Sequence, residues 1–213
     1  MPNLPSLVIV GAGGLGREVA ALVEAMNHNT PTWTVMGFAD DDDSLQNSSV
    51  MGYPVLGSVN WLAQQTDLHF VIAIGDGTLR EHIAKQLAES AVRPATLSHP
   101  ATFVHRTTQV GAGSVFCRGV APTVNLDIGS HVFFNPNCTI GHDSILESFV
   151  TLHPGVHISG SVHLERGVSM GTGAVVIPDT NIGANTTVGA GAVVTDDLPA
   201  NCTAVGTPAR PLS

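Results

Sequence analysis

The chain has 213 residues and a formal net charge of −9; 43% of it is hydrophobic, only 12% is charged, and 23 residues are glycine. This is too apolar for disorder, and the acidity excludes a nucleic acid or an anionic membrane surface as partner, since both demand basic patches. No apolar run reaches the ~20 residues of a membrane span, residues 1–6 carry no basic leader, and Cys117, Cys138 and Cys202 are odd in number without metal-type spacing, which points to a reducing cytoplasm.

Residues 1–97 and 98–213 read as two different domains. In the first, 7–10 reads as an apolar strand and 15–26 as a helix. A second strand, 35–38, runs into the acidic segment 40–43; a third, 70–74, precedes a helix from about Thr78 to Glu89. Strands alternating with helices predict βαβ units and a parallel sheet, an α/β half-Rossmann-like domain of one mononucleotide-sized half. The loop Gly11-Ala12-Gly13-Gly14-Leu15-Gly16 fits G-x-G-x-x-G between strand and helix, where free N–H groups and a helix N-terminus suit a phosphate. A dinucleotide with Asp40 on its ribose, a nucleotide diphosphate-sugar and a purely structural turn all remain open here, although the missing second half disfavours the dinucleotide.

The second domain carries a six-residue repeat. Stepping by six from Val104 to Val194 meets sixteen positions, and Pro122 alone is not a large apolar residue. Four residues after each stands a smaller or β-branched partner, such as Ser114, Val120, Val132, Cys138 and Val150. Only a parallel β-helix repeats at this period without a slip. Three hexads close an 18-residue coil, both series point inward, and five coils at strand spacing stack to roughly 25 Å. Gly111, Gly129, Gly141, Gly171, Gly183 and Gly189 follow the large residue, where we expect tight turns needing a permissive backbone.

The hexads, closing with Ala204-Val205-Gly206-Thr207-Pro208-Ala209-Arg210, resemble the left-handed β-helix acyltransferases. Val8-Ile9-Val10 with the glycine loop, then Gly37-Phe38-Ala39-Asp40-Asp41, then Val71-Ile72-Ala73-Ile74-Gly75-Asp76-Gly77 narrow the resemblance to the sialic-acid O-acetyltransferase-like family, which includes bacterial nucleotide-sugar N-acetyltransferases. The resemblance implies a homotrimer with acetyl-CoA bound between neighbouring prisms and a nucleotide-linked amino sugar as the other substrate. It implies that Gly13, Gly14 and Leu15 line the phosphate or uridine, that Asp40 and Asp41 contact ribose or base, and that Gly75 gives a close backbone approach. A sugar hydroxyl as acceptor, or a trimeric β-helix that binds without catalysis, are the alternatives.

Seven of the ten histidines lie between His99 and His163, so a zinc site has to be weighed. No two of them are 18 apart, and surface or interface roles suit most, His157 and His163 included. His142 differs. Asn135-Pro136-Asn137-Cys138-Thr139-Ile140-Gly141-His142-Asp143 is similar to the family's catalytic segment, which implies His142 as general base with Asp143 fixing its tautomer. His142 falls at an outward corner, and Gly160 one coil on leaves space above it. Where several members carry a second histidine near the thioester, nine residues after the first, this chain has Thr151, with His153 two residues further on. Thr151, Gly160, Gly171, Thr172 and Ala190 are expected along CoA, and Asn135 on the sugar; no metal is expected.

Overall fold

The computed structural model describes residues 4–212; residues 1–3, part of the segment searched for a leader, lie outside the described residues. The chain divides into two compact units, Met1–His99 and Pro100–Ser213.

In the first unit the elements are β1 (Ser6–Val10), α1 (Gly14–Asn29), β2 (Thr34–Ala39), β3 (Ser49–Val50), β4 (Tyr53–Gly57), α2 (Val59–Ala63), β5 (Leu68–Ile72), α3 (Gly77–Ala88) and β6 (Arg93–Pro94). They form one sheet in the order β3-β4-β2-β1-β5-β6, parallel except at β3. Leu7, Val8, Ile9 and Val10 are at most 1% exposed, which is why an unbroken apolar run rather than an alternating one marks the central strand of a sheet covered on both faces. α1 buries Val19, Ala20 and Val23 along one stripe, and Asp76 caps α3 by accepting the Leu79 N–H at 2.8 Å. The segment from β3 to α2 has no counterpart among the expected elements. Its strands are short, Pro54 stands inside β4, and Gly52 and Gly57 interrupt the apolar pattern.

The second unit is the expected prism. On one face residues pair 18 apart in the series Asp127, Ile145, His163, Asn181; on another the series is Thr139, His157, Val175; on the third it is Phe133, Thr151, Ser169, Thr187. Ile140, Leu146, Leu152, Leu164, Met170 and Val176 of the large series are fully buried, as are Val150 and Val156 of the smaller one. Two members of the smaller series are serines used as rivets. Ser114 Oγ donates to the Gly129 carbonyl and accepts the Val132 N–H; Ser144 Oγ does the same for Ser159 and Val162 on the coil above. The fold class is therefore the one expected, a half-Rossmann-like α/β domain followed by a left-handed parallel β-helix. The last coil departs from the count. Thr187 pairs with Thr203 and Ile182 bridges Leu198, both 16 residues on, so the closing turn is two residues shorter.

The glycines after the large residues do not serve as tight turns, and the reason given for them above is corrected by the structure. Their φ is ordinary, and what they provide is clearance. A Cβ on Gly111, Gly129, Gly141, Gly171 or Gly183 would strike the backbone of the next coil. The left-handed backbone falls two residues later, at Gly119, Asn125, His131, Asn137, Asp143 and Phe149 among others, at every sixth residue from Gly113 to Gly191. Two different demands thus fall on the corners that carry such a glycine. Gly129→Ala, which meets backbone, should destabilise by about 1–3 kcal/mol, whereas Gly155→Ala, with φ +70° and open space around it, should cost only the ~1–2 kcal/mol of a left-handed alanine. Urea denaturation of the two variants checks that order.

Candidate active site

In the first unit, the loops after β1, β2 and β5 lie side by side at the carboxyl ends of three adjacent strands. Chain connections diverge to either side of β1, and such a switch point opens a crevice. A cavity of about 150 Å³ lies there, lined by Gly11, Asp40, Asp41, Ile74 and Leu79 among others. The glycines of the loop separate into two kinds. A Cβ on Gly16 would overlap the Gly11 carbonyl, so that glycine serves helix–strand packing. A Cβ on Gly13 or Gly75 would meet nothing within 4 Å, and one on Gly14 only the tip of Arg17 at 4.0 Å. Packing needs none of these three, whereas a ligand lying against the backbone would. Gly13 is also the N-cap of α1 and, having no side chain, leaves the helix start without a side-chain cap. Leu15 sits half-buried in that first turn.

The two aspartates brace this crevice. Asp40 accepts the Ala12 N–H at 2.7 Å on one oxygen and the Asp42 N–H at 2.9 Å on the other; Asp41 accepts the Val59 N–H at 2.8 Å at the start of α2. Both therefore shape the loops. Arg80 has the same kind of role, and nothing in the sequence singled it out. It is 1% exposed, and its Nη1 donates to the carbonyls of Ile74 and Gly75 at 2.7 and 3.3 Å, pinning the turn after β5. Burial lowers the guanidinium to about 10, against the opposing pull of Asp76. A helical pattern reads an arginine as solvated, so only the structure shows this one turned inward.

In the prism, His142 stands at the edge between the face of Thr139–Ile140 and the face of Ile145–Leu146, with its side chain 63% exposed. Its Nδ1 is 2.8 Å from Asp143 Oδ2. Asp143 Oδ1 accepts from Asn125 Nδ2 at 3.0 Å, and these bonds, Asn125's first, hold the Asp143 carboxyl below its ordinary range. A carboxylate only accepts, so Nδ1 carries the proton of the neutral ring and Nε2 is left with its lone pair. The space above the ring is not open: a Cβ on Gly160 would come within 2.6 Å of Cε1 and 2.7 Å of Nε2, so the imidazole already occupies the room that glycine leaves.

The remaining predicted residues do not gather around His142 within one prism. Gly160 alone shares its edge. Asn135, Gly171, Thr172 and Ala190 fall on a different edge, where Thr172 and Ala190 are exposed and a Cβ on Gly171 would meet the Ala190 N–H at 2.5 Å. Asn135 is only 5% exposed, with Nδ2 donating to the Leu152 carbonyl at 2.8 Å. Thr151 is fully buried in the ladder between Phe133 and Ser169, so it does not present its hydroxyl to a ligand from this protomer. His157 and His163 pair across coils with Thr139 and Glu147, each at 2.9 Å. Among the described residues, no three His, Cys, Asp or Glu side chains converge as a metal site requires, and no helix is long and apolar enough to cross a membrane.

Comparison with known proteins agrees with both halves. Residues 6–87 match the PglD N-terminal domain. A GDP-perosamine N-acetyltransferase of Escherichia coli O157:H7 is 31% identical over 156 residues, covering 72% of this chain and 70% of that protein. The chain belongs to the bacterial nucleotide-sugar N-acetyltransferase family. Solved members of this N-acetyltransferase family extend the match to nearly the full length. A perosamine N-acetyltransferase from Caulobacter crescentus, in complex with CoA and GDP-perosamine, is 30% identical with a TM-score of 0.90, covering 99% of this chain and 98% of that one. The acetyltransferase domain of PglB from Neisseria gonorrhoeae, in complex with acetyl coenzyme A, is 32% identical with a TM-score of 0.89, covering 99% and 100%. For this family member, Gly13→Ala should change unfolding free energy by no more than about 0.5 kcal/mol, whereas Gly16→Ala should lose at least about 2 kcal/mol, as an overpacked backbone contact does. Thermal denaturation of the pair separates the ligand-facing glycine from the packing one.

Proposed function

We propose that this protein transfers an acetyl group from acetyl-CoA to the amino group of a nucleotide-linked amino sugar, with His142 as general base. The observation that carries the reading is the His142–Asp143 pair, whose bond leaves Nε2 as the free proton acceptor on an exposed edge. The sugar amine attacks the thioester carbonyl, a C–N bond forms, and Nε2 takes the proton the amine sheds. The C–S bond then breaks, and the protonated imidazole returns its proton to the departing CoA sulfur. Asp143 remains a carboxylate throughout and stabilises the imidazolium. The relatives above act, by their names, on amines rather than hydroxyls, which favours N-acetylation over the O-acetyl alternative.

The nucleotide belongs in the crevice at Gly13, Gly14, Leu15 and Gly75, with Asp40 and Asp41 shaping its walls. CoA belongs along Gly171, Thr172 and Ala190, and because these lie on a different edge from His142, a second prism must supply one of the two edges. A homotrimer meets that requirement at three equivalent sites, and light scattering that found a stable monomer at micromolar concentration would remove it. Cys117, Cys138 and Cys202 are thiols rather than disulfides, which suits the reducing cytoplasm.

Steady-state CoA release tests the assignment. His142→Ala should lower kcat by about 10²–10⁴-fold without unfolding the protein, and Asp143→Ala should lower it less. Retention of more than about a tenth of wild-type kcat by His142→Ala would end the role of His142 as base. Gly13→Val should raise KM for the nucleotide-sugar far more than for acetyl-CoA, and trials with UDP-, GDP- and dTDP-linked sugars identify the nucleotide.

A further inference from the structure

We infer that Asn125 is a positioning residue for the base, joining His142 to a hydrogen-bonded strut that descends the edge of the prism; the inference rests on the general-base reading above. Asn125 lies one coil below Asp143 in the same register, 18 residues earlier, and Nδ2 donates to Asp143 Oδ1 at 3.0 Å. The aspartate therefore has one oxygen held by Asn125 and the other facing His142 Nδ1, so the plane of its carboxylate is set from both sides. Asn125 is itself fixed from below. Its N–H donates to Thr107 Oγ1 at 3.0 Å, and that hydroxyl lies 2.9 Å from His105 Nδ1. The strut runs through three coils: Thr107, Asn125, Asp143.

Three features make an asparagine the residue for this place. Its φ is +55°, and asparagine tolerates the left-handed region better than other residues with a side chain of this reach. It donates an N–H to a carboxylate, where aspartate in its place would oppose one carboxylate with another. Unlike lysine or arginine, it adds no charge that would disfavour protonation of the nearby imidazole during turnover. The other titratable groups of this edge stand two coils away, His105 and Arg106 on one side and Asp179 on the other, whereas Asn125 bonds Asp143 directly. Gly160 completes the arrangement on the opposite side, since any side chain there would displace the ring.

Two substitutions separate a positioning role from a merely structural one. Asn125→Gly removes the amide while keeping the left-handed backbone; it should lower kcat about three- to tenfold and leave KM for both substrates unchanged, as expected of a residue that acts only through Asp143. Asn125→Asp is isosteric but places a second negative charge beside the pair. That charge favours the protonated imidazole, so the acid limb of the kcat/KM profile should move up by about half a pH unit or more. The same upward movement should appear in the NMR titration of the His142 ring, assigned by its loss in His142→Ala, which requires no turnover. A His142 titration and an acid limb unmoved in Asn125→Asp, together with full kcat in Asn125→Gly, would overturn the inference while leaving His142 as base. High activity in His142→Ala would instead overturn the base and Asn125's role together, even if the NMR shift were seen.

Discussion

The closeness of one coil to the next governs the rest of the prism. Parallel strands two residues long cannot hold a sheet by length, so each coil bonds the coil above, and the inward side chains are buried in the shaft between the three faces. At Gly111, Gly129, Gly141, Gly171 and Gly183 the coils approach until even a methyl group has no place. That spacing also sets the height between Asn125, Asp143 and Ser161 along one edge, and between His142 and Gly160 beside it. A hydrogen bond spanning one coil, such as Asn125 to Asp143, is geometrically available because the ladder brings residues 18 apart into register.

The two units offer different surfaces, each set by its fold. An α/β sheet gathers loops at the carboxyl ends of neighbouring strands and opens a crevice where its connections diverge. A β-helix instead presents its side chains on edges and faces, open to solvent on one side. His142 is 63% exposed in the single chain, which is poor shelter for proton transfer, and a partner surface that covers this edge would exclude water from the thioester. The exposure of His142 favours the proposed assembly of neighbouring prisms as much as the separation of the two edges does.

The prism was almost wholly legible in the sequence, because a six-residue period leaves a trace at every turn and the burial of both inward series is what enforces it. The glycines were visible but their cause was not: sequence shows where glycine stands, while only coordinates distinguish a left-handed turn from a clash with the next coil. In the first unit β1, β2, β5, α1 and α3 were legible from their apolar runs. The edge from β3 to α2 was not, since two-residue pairings and a strand holding Pro54 carry no periodic signal. His142 and Asp143 stood out through the resemblance of 135–143 to the family's catalytic segment and through the outward corner on which His142 falls. Asn125 and Arg80 escaped notice because each looks ordinary in its setting, an asparagine at a turn and an arginine on a helix, and their partners lie 18 residues away or on a backbone turn.

The shortened final coil has a consequence for encounters between copies of the chain. A stack of parallel strands ends in a row of unpaired N–H and C=O groups, the kind of edge onto which another chain can add. Here Thr203–Gly206 turns back on itself, and Ala209–Pro211 pairs with it in the antiparallel sense, the one reversal in the prism among the described residues. The new outer strand has two residues, Arg210 and Pro211, that resist further pairing, one through charge and the other through a missing N–H. On that face the growth of the β-helix is terminated, so coils that stack readily within one chain are kept from stacking end to end between chains.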